Sequence, residues 1–382
     1  MKILHLISDH QVIERTLDVY ENVFPGCNEV LVFSNKGGSF NRLKNDYTGR
    51  IVEKNNLNAF ARGYDFSAIT YVIVHYMTIE KADFIKYVPH NIHVCWEIYG
   101  YDLYEQFLLP LGYKMYYTSP LPYFKHPLLR RYMGGVMNLY LTIKGVKYSF
   151  KSQRKKLFNY LSNRVDSLQY CCKYDAMFVE EFAGRAIPSY EVFNYSLAEV
   201  LGELEGKDFF EGKDILIGNS ASLSNNHLYI LKHLKNIVLP EDTKLILPLS
   251  YGGTKEYANK VVEEYKKEYL NELEVISDYM PLHEYNRIFL RLKSVILSAW
   301  RQESQGTAIM AFYLGIKVFM SERSPLYKWF VDCGFFVFTI ESLDDKSFTQ
   351  MLTEEEKKHN RQIVLKRYNS DRIAQTLKDN II

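Results

Sequence analysis

The residues best suited to chemistry lie in three polar loops, each following an apolar run in the second half of the chain. The first, Ile217-Gly218-Asn219-Ser220-Ala221-Ser222-Leu223-Ser224-Asn225-Asn226-His227, leads from a strand pattern into a helical one. Gly218 lets backbone approach a ligand, while Ser220, Ser224 and Asn225 can donate hydrogen bonds or cap the helix. Asn219 and His227 add polar groups beside helix-start N–H groups that attract anions. A plain N-cap role for Ser224 or Asn225 is the competing reading. The second loop is Arg301-Gln302-Glu303-Ser304-Gln305-Gly306-Thr307. Here Glu303 can accept from both hydroxyls of a ribose, and Gly306 and Thr307 open a helix whose N-terminal amides face a diphosphate. Its competing reading is a capping Thr307 and a solvated Glu303. The third loop, Pro248-Leu249-Ser250-Tyr251-Gly252-Gly253, can pack Tyr251 against a base. None carries GxGxxG or a Walker sequence ending in GK[ST], so each is weak alone. Three on one sheet edge favour a nucleotide.

The first half holds the groups that could move a proton. His5 and Asp9 end the first strand pattern, and His75 ends YVIVH, where a satisfied core histidine is the simpler expectation. Glu97 lies in the apolar run HVCWEI, where a carboxylate needs a partner or a raised pKa. Asp102 and Glu105 have capping-box spacing, so Asp102 can be structural as readily as chemical. For a base that takes a hydroxyl proton the order of expectation is Glu97, then Asp102 and Asp9. No DxD triplet occurs, which disfavours a metal held by such carboxylates. The expectation is no metal and no cofactor, with a diphosphate met by helix N-termini and Arg301.

These loops need strands that end on a common edge. Apolar strand runs alternate with helical patterns from KILHLIS to NIHVCWEIYG, and DAMFVEE and SYEVFNYS read as further strands. The alternation repeats from DILIGNS to FFVFTI. Such a pattern specifies parallel sheets covered on both faces. At 382 residues and 47% apolar composition the chain has enough material for two cores. The expected class is α/β: two doubly wound Rossmann-like domains facing a cleft, residues 1–200 and 201–382, with terminal helices that can pack back on the first. Ala198 to Lys213, polar and without strand pattern, reads as a linker. Five cysteines without CxxC suit a reducing cytoplasm, and no apolar stretch approaches a transmembrane length.

Charge is uneven. Residues 106–165 carry eleven Lys or Arg and no acid, although the whole chain is only +2. Twelve aromatics are interleaved with them. Cations with amphipathic rings suit an anionic membrane surface; a solvated helical face and single-stranded nucleic acid are the competing readings. The expectation is peripheral contact with the inner face of a membrane, through Arg130, Arg131, Lys151, Arg154, Lys155 and Lys156, and no nucleic acid.

The runs ILIGNS with SNNH, LPLSYGG, RQESQGTA and WEIYGYDLYE resemble, in order and spacing, glycosyltransferase family 56, the family of the N-acetylfucosaminyltransferase of enterobacterial common antigen synthesis. The resemblance implies a GT-B fold. It also implies a nucleotide-activated deoxyamino sugar, such as a dTDP sugar, as donor and a polyprenyl-diphosphate-linked saccharide as acceptor. The sequence departs from that family at Glu97, where a His is expected, and in a longer basic segment. A nucleotide-sugar 2-epimerase of similar architecture and a non-catalytic sugar- or nucleotide-binding protein remain the alternatives.

Overall fold

The computed structural model describes residues 2–9, 12–34, 43, 50–118, 150–193, 196–235 and 237–381. The chain divides into two compact units. The first comprises Met1–Tyr113, Phe150–Ser196 and Ser370–Ile382, and the second Lys114–Ser149 and Leu197–Asn369.

The first unit is built on seven strands: β1 (Lys2–Ile7), β2 (Asn28–Ser34), β3 (Ile51–Glu53), β4 (Ile69–His75), β5 (His93–Ile98), β6 (Ser167–Tyr170) and β7 (Ser189–Glu191). Their order is β3-β2-β1-β4-β5-β6-β7, with every pairing parallel. The winding reverses between β1 and β4, the place where sheets of this kind bind ligands. Strands covered on both faces must be apolar throughout, and Ile3, Leu4, Leu6, Val72, Val74, Val94 and Trp96 are all buried. His5, His75, Glu97 and Gln169 are the buried polar exceptions taken up below. The final helix, Ser370–Ile381, presents Ile373, Leu377 and Ile381 at four-residue spacing and packs against the helix Ile13–Val23 and β7.

One strand expectation fails here. DAMFVEE lies inside the helix Lys173–Ala183, ended by Gly184 at φ +65°, and the strand is instead Ser167–Tyr170. Asp175, Ala176 and Val179 face inward at helical spacing, which the apolar content of the segment conceals.

The second unit has six strands: β8 (Asp214–Ile217), β9 (Leu245–Pro248), β10 (Leu273–Ile276), β11 (Leu292–Leu297), β12 (Lys317–Met320) and β13 (Phe338–Thr339). The order β10-β9-β8-β11-β12-β13 is again parallel and reverses between β8 and β11. The helix Lys255–Glu268, capped by Thr254, buries Tyr257, Val261 and Tyr265, which pack with Ile215, Ile217, Leu245 and Leu247. The expected linker is not one. It begins with the short helix Leu197–Leu201 and buries Val200, Leu201 and Leu204, while Asn286 donates to the carbonyls of Val200 and Leu201. Its acids and glycines hid three apolar anchors. Among the described residues no helix is long and apolar enough to cross a membrane.

Candidate functional site

In the second unit the three polar loops follow β8, β9 and β11, which are neighbours in the sheet, so parallel winding delivers all three to one edge. Glu303 ties two of them together, those after β8 and β11. Its carboxylate accepts from the Ser224 hydroxyl, lies 3.1 Å from Arg301 Nη2 and 3.5 Å from Asn225 Nδ2. Asn225 also donates to Ser220 Oγ at 3.1 Å, and its Oδ1 accepts the Asn219 N–H at 3.1 Å. Ser222, not singled out by the sequence, meets Ser224 at 2.7 Å. Glu303 is therefore not solvated; its carboxylate is held by three loop side chains, Ser224, Asn225 and Arg301, at the switch point.

The glycines explain the closeness of these loops. A Cβ at Gly253 would stand 1.9 Å from the Ala221 carbonyl oxygen, and one at Gly252, φ +86°, 3.0 Å from Ser220 Oγ. Tyr251, beside them, has its ring 55% exposed. Burial of its hydroxyl and, after it, the Glu303 carboxylate hold the phenol above its usual pKa. The helix after β11 begins at Gln305, with Ser304 as its left-handed N-cap at φ +69°. Gly306 and Thr307 are thus inside its first turn, and Thr307 is buried. The amides of Gln305, Gly306 and Thr307 precede the first intrahelical bond, from Ala308 N–H to Ser304 O.

His227 corrects an expectation. It is fully buried, its Nδ1 lies 3.1 Å from the Tyr257 hydroxyl, and its Nε2 sits where a Cβ on Gly218 would come within 2.9 Å. Burial lowers its pKa to about 3. It is a neutral support behind Gly218, not a ligand contact. Asn226 is the residue that sequence reasoning passed over: at φ +49° it donates to the carbonyls of Met115 and Ser298 and accepts the Tyr117 N–H. A left-handed asparagine before a helix is the signal that was available.

In the first unit the strand register sets His75, Glu97 and Gln169 side by side on β4, β5 and β6. His5 joins them from β1, its Nδ1 2.9 Å from His75 Nε2. The proton positions in this chain follow from its outer end. Asn28 Nδ2 donates to Glu21 Oε2 and the Phe24 carbonyl, so its Oδ1 faces His5 Nε2, which must carry hydrogen. Neutral His5 then accepts at Nδ1 from His75 Nε2–H. That leaves the His75 Nδ1 lone pair 2.5 Å from Glu97 Oε2, a contact of two buried atoms without hydrogen-bond geometry. Burial lowers the pKa of both histidines, His5 to about 3, and raises Glu97 to about 8. Burial therefore favours the neutral forms of the two histidines and of Glu97.

The other two candidate bases are engaged differently. Asp102 is not a helix cap: its carboxylate accepts from Met77 N–H at 2.9 Å, Trp96 Nε1–H at 2.8 Å and Tyr99 N–H at 3.0 Å. It is a buried clamp. Asp9 accepts the Leu43 N–H at 3.0 Å. Neither Glu97 oxygen accepts a backbone N–H; beside His75, its polar neighbour is the Tyr99 hydroxyl. Among the six surface cations, Arg130 and Arg131 lie outside the described residues, as does the side chain of Lys151. Lys155 and Lys156 are exposed on the helix Phe150–Arg164, whereas Arg154 is half-buried near Glu80 and serves the fold.

Comparison with known proteins decides the class. Residues 206–372 match the family model described as 4-alpha-L-fucosyltransferase, glycosyl transferase group 56. The match lies in the second half of the chain and, with the structural neighbours, supports a glycosyltransferase. No curated protein matches the sequence. Among solved structures, this chain is similar to a glycosyltransferase from Rickettsia africae, with TM-score 0.61 at 11% identity over 99% of this chain and 97% of the other. Anabaena HepE, solved with UDP and glucose, gives 0.62 at 9% identity over 100% and 99%. Sucrose-phosphate synthase from Thermosynechococcus elongatus gives 0.59 at 11% over 99% and 98%. The fold is GT-B, two parallel-sheet units with flanking helices.

Proposed function

We propose that this glycosyltransferase moves a deoxyamino sugar, N-acetylfucosamine-like, from a dTDP donor to a lipid-linked saccharide at the cytoplasmic face of a membrane. The observation that carries the donor half is the fixed Glu303 carboxylate at the β8/β11 switch point. A carboxylate held by Ser224, Asn225 and Arg301 is already oriented to accept from a ribose diol. The first-turn amides at Gln305–Thr307 and the Arg301 guanidinium supply fixed positive charge for a departing diphosphate, which lets the reaction proceed without a metal. HepE, a neighbour of the same fold, was solved with UDP, which supports a nucleotide at a site of this kind.

The acceptor half belongs to the first unit. Of three carboxylates at its strand ends, Glu97 alone accepts no backbone N–H, and we assign it the acceptor's hydroxyl proton, passed through the Tyr99 hydroxyl beside it. The exposed Lys155 and Lys156, with Arg130, Arg131 and Lys151 on the same basic segment, suit anionic lipid around a membrane-held acceptor. Calorimetry over dTDP, UDP, GDP and CMP tests the donor reading. One diphosphate should bind preferentially, without divalent cation, and Glu303→Ala should weaken it by about 1–3 kcal/mol. Equal affinity in wild type and variant removes Glu303 from the site.

A further inference from the structure

The turn that follows β4 is held by more charge than its length requires. Tyr76 adopts φ +56°, a left-handed backbone that a bulky non-glycine residue rarely takes and that is strained. Lys81 is fully buried, and its ammonium donates to the His75 carbonyl at 2.5 Å and the Tyr76 carbonyl at 2.9 Å. Asp102, also fully buried, holds the next residue through the Met77 N–H and ties the same turn to β5 through Trp96 and Tyr99. A buried ion costs several kcal/mol unless it is fully bonded. Here a cation and an anion from two different elements converge on the backbone of residues 75–77, and so hold Tyr76 in a conformation that its own preferences oppose. A glycine would release the strain; the tyrosine ring is what the arrangement retains.

That ring stands on the strand C-terminal edge, nearly parallel to Tyr101, with centroids 5.8 Å apart and planes 15° from each other. Tyr99 meets Tyr76 edge-on at 6.4 Å. Tyr101 is 39% exposed, and Gly100 at φ +84° provides the bend that carries it over. Of the three tyrosines, Tyr101 is the exposed ring, with Tyr76 stacked beside it and Lys81 Nζ 6.0 Å from the Tyr76 ring centroid; the face of an aromatic ring is negative. The C–H face of a pyranose is the complementary surface, weakly positive and flat. Apolar helices of a partner protein would want a wider patch without the hydroxyls.

We propose that Tyr76 and Tyr101 form a stacking shelf for a sugar ring of the acceptor saccharide. This rests on the reading that the first unit takes the acceptor, and adds to it the residues that hold the sugar. The test uses saturation-transfer NMR on the full chain with octyl glycosides of glucose, galactose and N-acetylglucosamine as probes. Ring C–H protons of at least one probe should receive saturation. Tyr101→Ala and Tyr76→Ala should each weaken that probe about ten-fold, the size of one aromatic stacking contact, while dTDP affinity stays unchanged. Tyr101→Trp should retain binding. Tyr101 is on the surface, so its variants test the shelf even where Tyr76→Ala fails to fold. Wild-type-like binding of Tyr101→Ala overturns the shelf but leaves the acceptor reading standing. Absence of saccharide signal from the wild-type protein, with dTDP still bound, overturns both.

Discussion

The two sheet edges solve opposite problems with the same winding. At the edge of the second unit the polar groups belong to loops, their anion is matched by an Arg and several hydroxyl and amide donors, and Tyr251 is left open beside them. At the edge of the first, the polar groups are in the strands and closed over, with His75 Nδ1 2.5 Å from Glu97 Oε2. The loop site suits a ligand that brings its own charges and must be oriented. The strand site suits proton movement, because low-dielectric burial is what brings a carboxyl into the neutral pH range.

The contrast breaks most visibly through Glu97→Gln. Gln keeps the shape and removes the ionisable group, so kcat should fall by about 10² to 10⁴ with nucleotide affinity unchanged, opposite to the expectation for Glu303→Ala. Single-turnover rates beside dTDP calorimetry separate the two. If Glu97→Gln keeps near wild-type turnover, the His75–Glu97 pair is structural, and if it also loses dTDP, the division of labour between the units fails.

How far each site could be read in the sequence follows the same contrast. Loops announce themselves locally: Gly218, Ser224, Asn225, Glu303 and Gly306 stand in short polar runs after apolar ones, and the structure brings Ser220, Ser224, Asn225, Arg301 and Glu303 together. What was misread there, His227, shows that a polar residue next to a loop can turn to the core once its helix starts. The strand site was half legible. Glu97 stood out against HVCWEI, but its partner His75 lies on another strand, and only the pairing register sets them side by side. His5 and Asn28 are farther still in sequence, and no spacing rule connects them. The alternating strand and helix order gave two parallel sheets, whereas DAMFVEE failed because an apolar run of that length fits either element until its buried face is known.

A smaller effect concerns the helix Phe150–Arg164. Phe158 is stacked against Phe107 at 4.9 Å and Phe182 at 4.3 Å, which leaves Lys155 and Lys156 on the outer side. At about 1 kcal/mol per cation near an anionic leaflet, Lys155→Gln with Lys156→Gln should weaken binding to phosphatidylglycerol vesicles roughly ten-fold or more, and added salt should erase the difference. Arg154 belongs to the fold and is left in place. A wild type that ignores anionic vesicles removes the membrane reading while leaving the two sheet edges untouched.

The smallest expected effect sharpens the contrast through pH. Glu97 has a folded pKa near 8, raised by burial from an ordinary 4.5, so the stability it contributes is fully present below 4.5 and is lost as pH rises toward 8. His5 is depressed from 6.5 to about 3 by burial and His75, so its contribution is present above 6.5 and lost as pH falls toward 3. The two slopes oppose each other between 4.5 and 6.5. Lys81, lowered by burial from 10.5 to about 7, also opposes Glu97: its contribution grows as pH rises from 7 to 10.5, so the two offset each other between 7 and 8, while Tyr20, Tyr99 and Cys95, all raised by burial, stay neutral there. The difference between variants isolates Glu97: thermal denaturation from about pH 5 to 8 should show the wild-type melting temperature falling by a few degrees relative to that of Glu97→Gln. Over the same interval the turnover of the wild type should rise, since the base acts only after losing its proton. Stability that falls relative to Glu97→Gln while activity rises across one pH range is the signature of a buried carboxyl that must ionise to work. Parallel pH slopes in wild type and Glu97→Gln would place the proton elsewhere and make the strand site as inert as an ordinary core.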